Sequence, residues 1–422
     1  MNDNIIDDLN YRGLIKDYSN ENNLRELFST PQTIYCGFDP SASSMHVGNF
    51  VMISILMRLQ KAGHRIIALV GGATGMIGDP SGKSKERNLL NTNDVIKNTN
   101  LIKEQLSKFL DLDDPKKGIL LNNYDWLSKM SLLEYLRDYA KYFNINYMLG
   151  KDIIASRLAN GISLTEFTYM TLQSIDFLKL HDEYGCNIQV GGSDQWGNLT
   201  AGLDLIKKLE GPETKVECMT AHLITRSDGK KFGKSEDGAL FLDPKLTSPY
   251  KLYQFFYNQS DEDSVRYLKV FTFLPKEKIE KISQEHYSHL GERIAQKELA
   301  YEVTKIIHGK EKADEALNMS SALFSNEFSK LTKENIIELF KDYKIEISSL
   351  SNLEDLLINI KAASSKREAR EFIKNGAISV NGKKESDANK IFSINDLLFE
   401  QYLIVRRGKK NYYLVDFIKK DN

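Results

Sequence analysis

Apolar residues along the first half of the chain follow two alternating patterns, short continuous runs and longer stretches with helical spacing. The continuous runs TIYCGF, RIIALV and CNIQV, beginning at Thr33, Arg65 and Cys186, predict buried strands. Helical spacing follows over residues 46–62, 166–180 and 195–209. Because continuous apolar strands alternate here with helices, the pattern predicts an α/β fold with a parallel sheet covered on both faces.

Each of these predicted strands ends in small or polar residues. The strand ends read GFDPSASSMHVGN, GGATG and GGSD, which supply glycine, serine, aspartate and histidine. Ligands of parallel sheets bind at the carboxyl ends of the strands. We therefore expect a site for phosphate and sugar groups at this edge of the sheet.

The remainder of the sequence is more helical, and its patterns predict further domains. Residues from about 90 to 160 are interpreted as a helical insertion between two halves of the sheet, which occupies residues 1–225. A glycine- and lysine-bearing segment over 226–247 is expected to be mobile, and helical patterns follow over 248–325. Residues 326–350 are polar and weakly patterned, as in a linker, and 351–422 form a compact basic tail.

Composition narrows the class of protein. The chain has 422 residues, with 57 Lys and Arg against 58 Asp and Glu, so a nucleic-acid partner would need a local basic patch. Its three cysteines, Cys36, Cys186 and Cys218, lack metal-ligand spacing and suit a reducing compartment. The acidic start MNDNIIDDLNYRG shows no secretory pattern, and no apolar run is long enough to cross a bilayer. These features predict a cytoplasmic protein.

The first segment with candidate chemistry is HVGN, residues 46–49. Unpaired N–H groups at a helix start attract anions, Gly48 lets a ligand approach the backbone, and His46 and Asn49 add side-chain hydrogen bonds. A simpler alternative is that Ser43 or Ser44 caps the helix and that His46 is an ordinary surface residue. The segment alone does not decide between a phosphate site and a capped helix.

The second segment is RSDGKKFGKSEDG, residues 226–238, which carries Lys231, Lys234 and Ser235. A solvated turn is its simpler interpretation. The segment does not match the Walker pattern, because its glycine spacing differs and no strand–loop–helix context surrounds it. A phosphate site made of a fixed helix start and a mobile lysine loop would therefore be of another kind.

Together, HVGN and KFGKS resemble HIGH and KMSKS, the two signature motifs of class I aminoacyl-tRNA synthetases. Asn49 stands where a second histidine is usual, and Phe232 and Gly233 replace Met-Ser. The segments ALVGGATGMIGDPSGK, TEFTYMTLQSIDFL, QVGGSDQWGN and TSPYKLYQFF are similar to those of bacterial-type tyrosyl-tRNA synthetases. The resemblance covers nearly the whole chain. It implies a Rossmann-like catalytic domain, a helical domain and a small α+β RNA-binding domain.

Selection of a phenol can be argued from the residues themselves. Tyr35 and Asp176 could bracket the phenolic hydroxyl, because phenylalanine would leave both groups buried and unpaired. Tyr169, Gln173 and Asp176 share one helix face, which could also be an ordinary amphipathic face. The resemblance implies that Tyr169 and Gln173, with Asp79, hold the ammonium group. The predicted tyrosine site comprises Tyr35, Asp79, Tyr169, Gln173, Asp176 and Gln195.

The resemblance also implies ATP as a substrate, accompanied by Mg²⁺, with no tightly bound cofactor and no dedicated metal site. The predicted ATP contacts are Cys36, Gly37, Asp39, His46, Gly48, Gly192, Asp194 and Lys234. Catalysis would consist of positioning and of neutralising charge on phosphate oxygens. The residues predicted for this role are Ser41, His46, Asn49, Lys83, Arg87, Lys231, Lys234 and Ser235. Cys36 is equally well explained as a small buried residue.

The basic tail is expected to bind tRNA. SSKREAREFIKNGAISVNGKK predicts a helix that carries Lys366, Arg367, Arg370 and Lys374 near one face. The segment resembles an RNA-binding module of a ribosomal small-subunit protein. A single charge run would more simply be a solvated helix face, but RRGKK at 406–410 adds to the basic surplus.

The resemblance further implies a homodimer built through the insertion. The sequence shows only that Leu132, Leu133 and Tyr135 are available there for an interface.

Three other functions remain open at this point. The first is the tryptophan-specific sister enzyme, although Tyr35 with Asp176 favours a phenol. The second is an RNA-binding protein on a retired synthetase scaffold, against which the intact Lys231, Lys234 and His46 speak. The third is a nucleotidylyltransferase that makes another adenylate, which would have no need of an RNA-binding tail.

Overall fold

The computed structural model describes residues 4–82, 89–158, 161–227, 232–235 and 238–418. The chain folds into two compact units, which divide between Ile307 and His308. No helix within these described ranges is both long enough and apolar enough to span a membrane.

The first unit is organised around a sheet whose described strands follow the order β1-β6-β5-β2-β3-β4. These strands are β1 (Ile15–Tyr18), β2 (Thr33–Phe38), β3 (Arg65–Val70), β4 (Gly118–Asn122), β5 (Cys186–Gly192) and β6 (Glu217–Ala221). β1 runs antiparallel to β6, and the other neighbours are parallel. β2, β3 and β5 are the three strands expected from the sequence. The predicted parallel sheet is therefore confirmed.

Helices cover this sheet and continue beyond it. Within the described ranges they are α1 (Ile5–Tyr11), α2 (Glu21–Leu27), α3 (Val47–Lys61), α4 (Thr74–Ile77), α5 (Thr92–Phe109), α6 (Tyr124–Leu127), α7 (Leu132–Glu134), α8 (Ile145–Leu149), α9 (Asp152–Leu158), α10 (Leu164–Tyr184), α11 (Trp196–Glu210), α12 (Pro249–Tyr257), α13 (Asp261–Phe271), α14 (Lys276–Ser288) and α15 (Ile294–His308). Two short strands, β7 (Lys234–Ser235) and β8 (Gly238–Ala239), pair with each other. α3, α10 and α11 are the helices expected over 46–62, 166–180 and 195–209.

Local signals and burial together fix α10, the helix that carries most of the predicted tyrosine residues. Ser163 caps its start by accepting a hydrogen bond from the N–H of Glu166, and Gly185 ends it with a φ of 65°. Phe177 of α10 and Leu203 of α11 pack in one buried cluster with Ile67 of β3. The helix is thereby held against the face of the sheet below the strand ends.

β4 corrects the predicted boundary of the insertion. α5 and β4 form a crossover that places β4 parallel to β3, with Ile67 opposite Ile119 and Val70 opposite Asn122. α5 buries Ile102 and other apolar side chains. Residues 92–122 therefore belong to the sheet layer, and the helical insertion is confined to about residues 123–163. β4 is an edge strand that is only half-buried, so its short run GILLN gave a weak signal.

The second unit is a small α+β domain, as the basic tail predicts. Its described helices are α16 (Lys310–Ser325), α17 (Lys333–Phe340), α18 (Leu353–Asn359) and α19 (Lys366–Lys374). Its described strands are β9 (Lys344–Ile347), β10 (Ile378–Val380), β11 (Lys383–Lys384), β12 (Tyr402–Arg407) and β13 (Asn411–Phe417), in the order β11-β10-β12-β13-β9. Leu353 of α18 and Ile373 of α19 pack against Val405 and Val415 of the sheet.

Residues 326–350 are not the linker that their polar composition suggests. α17 buries Ile336 and Phe340, and the Phe340 ring lies 5.7 Å from that of Phe328. β9 pairs in parallel with β13, so that Ile345 lies opposite Val415. α16, expected in the helical domain, belongs to the second unit, which therefore begins well before residue 351. The elements of this stretch are short, which concealed them: α17 has eight residues and β9 has four.

Candidate active site

The HVGN segment forms the start of α3, which follows the carboxyl end of β2. His46 is the N-cap, and its Nδ1 accepts hydrogen bonds from the N–H groups of Gly48 at 3.0 Å and Asn49 at 3.3 Å. Asn49 Oδ1 accepts from the N–H of His46 at 3.0 Å, which completes a capping box. Because Nδ1 is the acceptor, a neutral imidazole ring carries its proton on Nε2. The ring is exposed, so it is accessible to a ligand.

The alternative in which a serine caps α3 is wrong. Ser44 is buried, and its Oγ donates to the carbonyl of Met45 and accepts from Gln105 instead. Ser43 lies outside the capping box that His46 and Asn49 form. The histidine therefore has a structural role at the helix start and still presents its ring at the surface.

The KFGKS segment lies against this helix start. The N–H of Val47 donates to the carbonyl of Leu240 at 2.9 Å, and the N–H of Leu240 donates to the carbonyl of Gly233 at 3.0 Å. Gly233 has a φ of +76°, and a Cβ at that position would lie 2.8 Å from Val47 Cγ2 and 3.7 Å from the backbone nitrogen of Gly48. The structure therefore brings together the two motifs that the sequence singled out.

Phe232 explains one departure from the usual KMSKS pattern. Its ring packs against the aromatic side chains of α12 and α13, at centroid distances of 5.0 Å from Tyr267 and Phe271 and 5.4 Å from Phe255. Such pairs stabilise beyond the burial of their area alone. The aromatic side chain thus attaches the segment to the helical part of the first unit, next to the close approach at Gly233.

Several predicted phosphate contacts cannot be placed. Those outside the described residues are Lys83, Arg87 and Lys231, and only the backbone of Lys234 and Ser235 is described. That backbone forms β7, in which Lys234 lies opposite Ala239. Ser41 is exposed in the turn between β2 and α3. The roles of these side chains stay predictions.

A continuous chain of hydrogen bonds joins the predicted nucleotide residues to the predicted tyrosine residues. Asp39, directly after β2, accepts from Thr74 Oγ1 at 2.7 Å and from the hydroxyl of Tyr169 at 2.8 Å. Asn123, directly after β4, donates to Thr74 Oγ1 at 3.0 Å and to Asp176 Oδ2 at 2.9 Å. Side chains that directly follow β2 and β4 and side chains of α4 and α10 therefore hold one another in place.

Asp176 lies at the buried end of this chain. It is 2% exposed, and its Oδ1 accepts from Trp126 Nε1 at 2.8 Å. Burial raises the pKa of Asp176 to about 7, while the hydrogen bonds from Asn123 and Trp126 oppose that rise. The carboxyl group can therefore change charge near neutral pH.

The hydroxyl of Tyr35 is a second buried polar group, and it lies near Asp176. Burial, and after it the negative charge of Asp176, raises the pKa of Tyr35 well above its usual value. Among the described residues its hydroxyl has no hydrogen-bond partner, although the side chain is almost fully buried. A buried polar group in this state favours a ligand that brings its own hydroxyl.

Asp79 belongs to a second network, which unites two residues predicted for the tyrosine site. Its Oδ2 accepts from Gln195 Nε2 at 2.6 Å, and its Oδ1 accepts from the N–H of Ser81 at 2.9 Å. Gln195 Oε1 in turn accepts from Asn198 Nδ2 at 3.0 Å. Asp79 is buried, so these bonds fix the direction of a carboxylate that could meet a cation. Gln173 lies half-buried on α10, one turn from Tyr169.

The remaining predicted nucleotide contacts lie at the ends of β2 and β5. Gly37 is exposed, and a Cβ there would have no neighbour within 4 Å, so the backbone is open to a ligand. At Gly192 a Cβ would lie 2.6 Å from Asp194 Oδ1, and at Gly82 it would lie 3.4 Å from Asp194 Oδ2. Burial raises the pKa of the Cys36 thiol to about 12, so this thiol is neutral. Its contact with the nucleotide stays a prediction.

Five residues of these networks were not expected from the sequence: Thr74, Ser81, Asn123, Trp126 and Asn198. Asn123 and Trp126 stand in NNYDW, directly after β4. The rule that strand ends carry the site would have selected both, had GILLN been recognised as a strand. Asn198 stands three residues after Gln195, a spacing that places both side chains on one side of a helix start. Among the described residues, no three His, Cys, Asp or Glu side chains form a group that could hold a metal ion.

Comparison with known proteins agrees with this arrangement. Residues 29–325 match the family described as tRNA synthetases class I (W and Y), and residues 335–415 match the tyrosine--tRNA ligase SYY-like C-terminal domain. Proteins named tyrosine--tRNA ligase from Listeria monocytogenes serotype 4a (strain HCC23) and Staphylococcus haemolyticus (strain JCSC1435) are each 48% identical to this chain. The matches cover 98% and 99% of this chain and 100% of each relative.

A solved structure shows the same fold. A C-terminally truncated mitochondrial tyrosyl-tRNA synthetase from Aspergillus nidulans superposes with a TM-score of 0.70 at 35% identity, covering 76% of this chain and 94% of that protein. The family matches and the full-length relatives agree on one assignment. The chain belongs to the tyrosine--tRNA ligase family of class I tRNA synthetases.

Proposed function

We propose that the chain activates L-tyrosine with ATP and then transfers the tyrosyl group to the 3′ end of tRNA(Tyr). In the first step the tyrosine carboxylate forms a bond to the α-phosphorus, and the bond from that phosphorus to pyrophosphate breaks. In the second step a ribose hydroxyl of the tRNA displaces AMP from the adenylate. The adjacency of the His46 helix start and the KFGKS backbone carries the proposal, because triphosphate chemistry needs both.

Tyrosine would lie with its hydroxyl between Tyr35 and Asp176. Its ammonium group would meet Asp79, Tyr169 and Gln173. The Tyr169 hydroxyl donates its proton to Asp39, so the hydroxyl oxygen is left as an acceptor for an ammonium N–H. This direction of the hydrogen bond supports a cationic ligand at Tyr169.

ATP would lie over the ends of β2 and β5, with Mg²⁺ as part of the substrate. Gly37, Gly48, Gly192 and Asp194 would meet the nucleoside, and Cys36 would touch the sugar. The His46 ring, with Ser41 and Asn49 beside it, would donate to the triphosphate. The positive charges that neutralise the leaving pyrophosphate would come from Lys83, Arg87, Lys231 and Lys234, with Ser235 next to them. Contacts that form mainly in the transition state raise the rate rather than the affinity.

The experiment that tests this function is pyrophosphate exchange into ATP with each of the proteinogenic amino acids. We expect exchange with tyrosine alone. Exchange with tryptophan and none with tyrosine would instead identify the tryptophan-specific enzyme. A protein that binds tRNA but supports no exchange at all would be an RNA-binding protein on a synthetase scaffold.

We further propose that α19 contacts the tRNA, in a reaction that takes place in the cytoplasm. Its four predicted contacts, Lys366, Arg367, Arg370 and Lys374, are all exposed. Lys366 forms an ion pair with Asp355 at 2.8 Å, and Arg370 forms one with Glu354 at 2.5 Å. Among the described residues, no carboxylate is ion-paired with Arg367 or Lys374. These last two side chains are therefore the best placed to exchange solvent for phosphate.

Reversing the charge of both residues, Arg367→Glu with Lys374→Glu, should lower kcat/KM for tRNA charging by about ten-fold and flatten its salt dependence. Pyrophosphate exchange should not change, because adenylate formation does not involve tRNA. The matched control is Lys108→Glu with Lys116→Glu, which makes the same charge change at exposed residues of the first unit. Equal losses in both double variants would mean that net charge, not α19, is responsible.

The insertion offers an apolar surface for the proposed homodimer. Leu132 and Leu133 are 70% and 78% exposed, and Leu136 and Ile145 are exposed nearby in the chain. Tyr135, also expected at the interface, is half-buried instead, and its hydroxyl lies 2.8 Å from Thr171 Oγ1. The leucines rather than the tyrosine are thus the residues that association would remove from water.

Replacing both leucines, Leu132→Glu with Leu133→Glu, should convert the dimer to a monomer in analytical ultracentrifugation. Two carboxylates buried without partners would oppose association strongly. The control Leu290→Glu changes another exposed leucine of the first unit and should leave the dimer intact. A double variant that sediments as a dimer would exclude this surface from the interface.

A further inference from the structure

α5 holds the turn that precedes His46. Gln105 of α5 is 7% exposed and uses both ends of its amide, because Oε1 accepts from the N–H of Met45 at 2.9 Å and Nε2 donates to Ser44 Oγ at 2.8 Å. Asn98, two turns earlier on the same helix, donates to the carbonyl of Pro40 at 3.2 Å. Two buried amides on one helix thus bond to both ends of the segment between β2 and α3.

Ser44 and Met45 also hold the segment that follows KFGKS in the chain. Ser44 Oγ accepts from the N–H of Asp243 at 3.2 Å, and the carbonyl of Met45 accepts from the N–H of Leu242 at 2.8 Å. Ser44 and Met45 are both buried, so water does not compete for these bonds. Ser44 and Met45 therefore join three parts of the site: α5, the turn that precedes His46, and the residues that follow the KFGKS segment.

The side-chain amide of Gln105 matches both of its partners. The N–H of Met45 needs an acceptor. Ser44 Oγ donates its own proton to the carbonyl of Met45, so its lone pairs accept, one from the N–H of Asp243 and one from Gln105 Nε2. An amide offers one of each at the right separation, a carboxylate only accepts, and a thioether of similar length does neither.

We propose that Gln105 is a positioning residue for tyrosyl-adenylate formation. By fixing Ser44 and Met45, Gln105 sets the position of the His46 ring relative to the backbone of the KFGKS segment. The inference rests on the proposed phosphate role of the His46 turn. Gln105 touches neither substrate, so its loss acts through misplaced donors, and displacements of about 1 Å can cost as much as a hundred-fold in rate.

The test compares Gln105→Met and Gln105→Glu in the full-length chain by the single-turnover rate of adenylate formation. We expect Gln105→Met to lower this rate about ten- to a hundred-fold, and Gln105→Glu to lower it less, because the carboxylate still accepts from Met45. Tyrosine affinity and transfer from preformed adenylate to tRNA should not change. Ile102→Ala is the control, since it removes a buried apolar side chain from the same helix.

A wild-type rate for Gln105→Met, or an equal loss of tyrosine affinity, would overturn the proposal. If this variant does not fold, Gln105→Glu and Ser44→Ala carry the test. Both should slow adenylate formation, and their combination should be no slower than the worse of the two. Wild-type rates in both would overturn the proposal as well. Failure of the phosphate role itself would show separately, as an unchanged rate in the His46→Asn variant.

Discussion

Replacing His46 by asparagine should slow tyrosyl-adenylate formation about 10²- to 10³-fold while leaving the chain folded. Asparagine is among the best N-cap residues, so its side-chain oxygen can take over the acceptor role of Nδ1 toward Gly48 and Asn49. What the variant lacks is the Nε2–H that we propose to donate to the triphosphate. The measurement is the single-turnover rate at saturating ATP and tyrosine, together with tyrosine affinity, which should not change.

A second variant separates the two roles of this histidine. His46→Ala removes the helix cap as well as the ring, so it should show the same loss of rate and, in addition, about 1 kcal/mol lower stability. If His46→Asn forms adenylate as fast as the unchanged chain, His46 is only a helix cap. The resemblance to HIGH would then describe a structural motif of α3 and not a catalytic group.

How much of the fold could be predicted depended on burial. β2, β3 and β5 lie in the middle of the sheet, so both of their faces are buried and their sequences read as continuous apolar runs. β4 and β9 lie at sheet edges and are largely half-exposed or exposed, and their runs GILLN and KIEI are too short to stand out as strands. The boundary of the insertion was misplaced because β4 was missed, and that of the linker because the short helix α17 was missed together with β9.

Whether a site residue could be predicted depended on the same strands. Asp39, His46 and Asp194 follow strands that could be recognised, so the rule about strand ends selected them. Asn123 and Trp126 follow β4, and their hydrogen bonds to Asp176 span about fifty residues of sequence. Nothing local in NNYDW indicates that partner. Asp79 came from the family resemblance alone, and Gln173, although helical spacing places it on one face with Asp176, received its role from that resemblance.

Replacing Asp176 by asparagine should lower the preference for tyrosine over phenylalanine by about one to two orders of magnitude. Both oxygens of Asp176 already accept, one from Asn123 and one from Trp126. An amide would turn an N–H₂ group toward one of these donors, so a buried donor would lose its acceptor. The measurement is kcat/KM for both amino acids in pyrophosphate exchange. Selectivity equal to that of the unchanged chain would remove Asp176 from phenol recognition.

The charge of Asp176 gives the same recognition a pH dependence. Because burial raises the pKa of Asp176 to about 7, its carboxyl group, in the chain without bound tyrosine, gains a proton as the pH falls through neutrality. A phenol donates a stronger hydrogen bond to an ionised acceptor than to a neutral one, so KM for tyrosine should rise on the acid side of this value. Asp176→Asn should abolish the rise, because the amide does not titrate.

Asn123 tests whether the titrating group is Asp176 itself. Its hydrogen bond favours the ionised carboxylate and so opposes the effect of burial on the pKa. Asn123→Ala removes that bond, so the pKa should rise further and the midpoint of the KM profile should move to higher pH. A midpoint that stays in place, or that moves to lower pH, would mean that another group governs the profile. The buried carboxyl would then select the phenol without controlling its pH dependence.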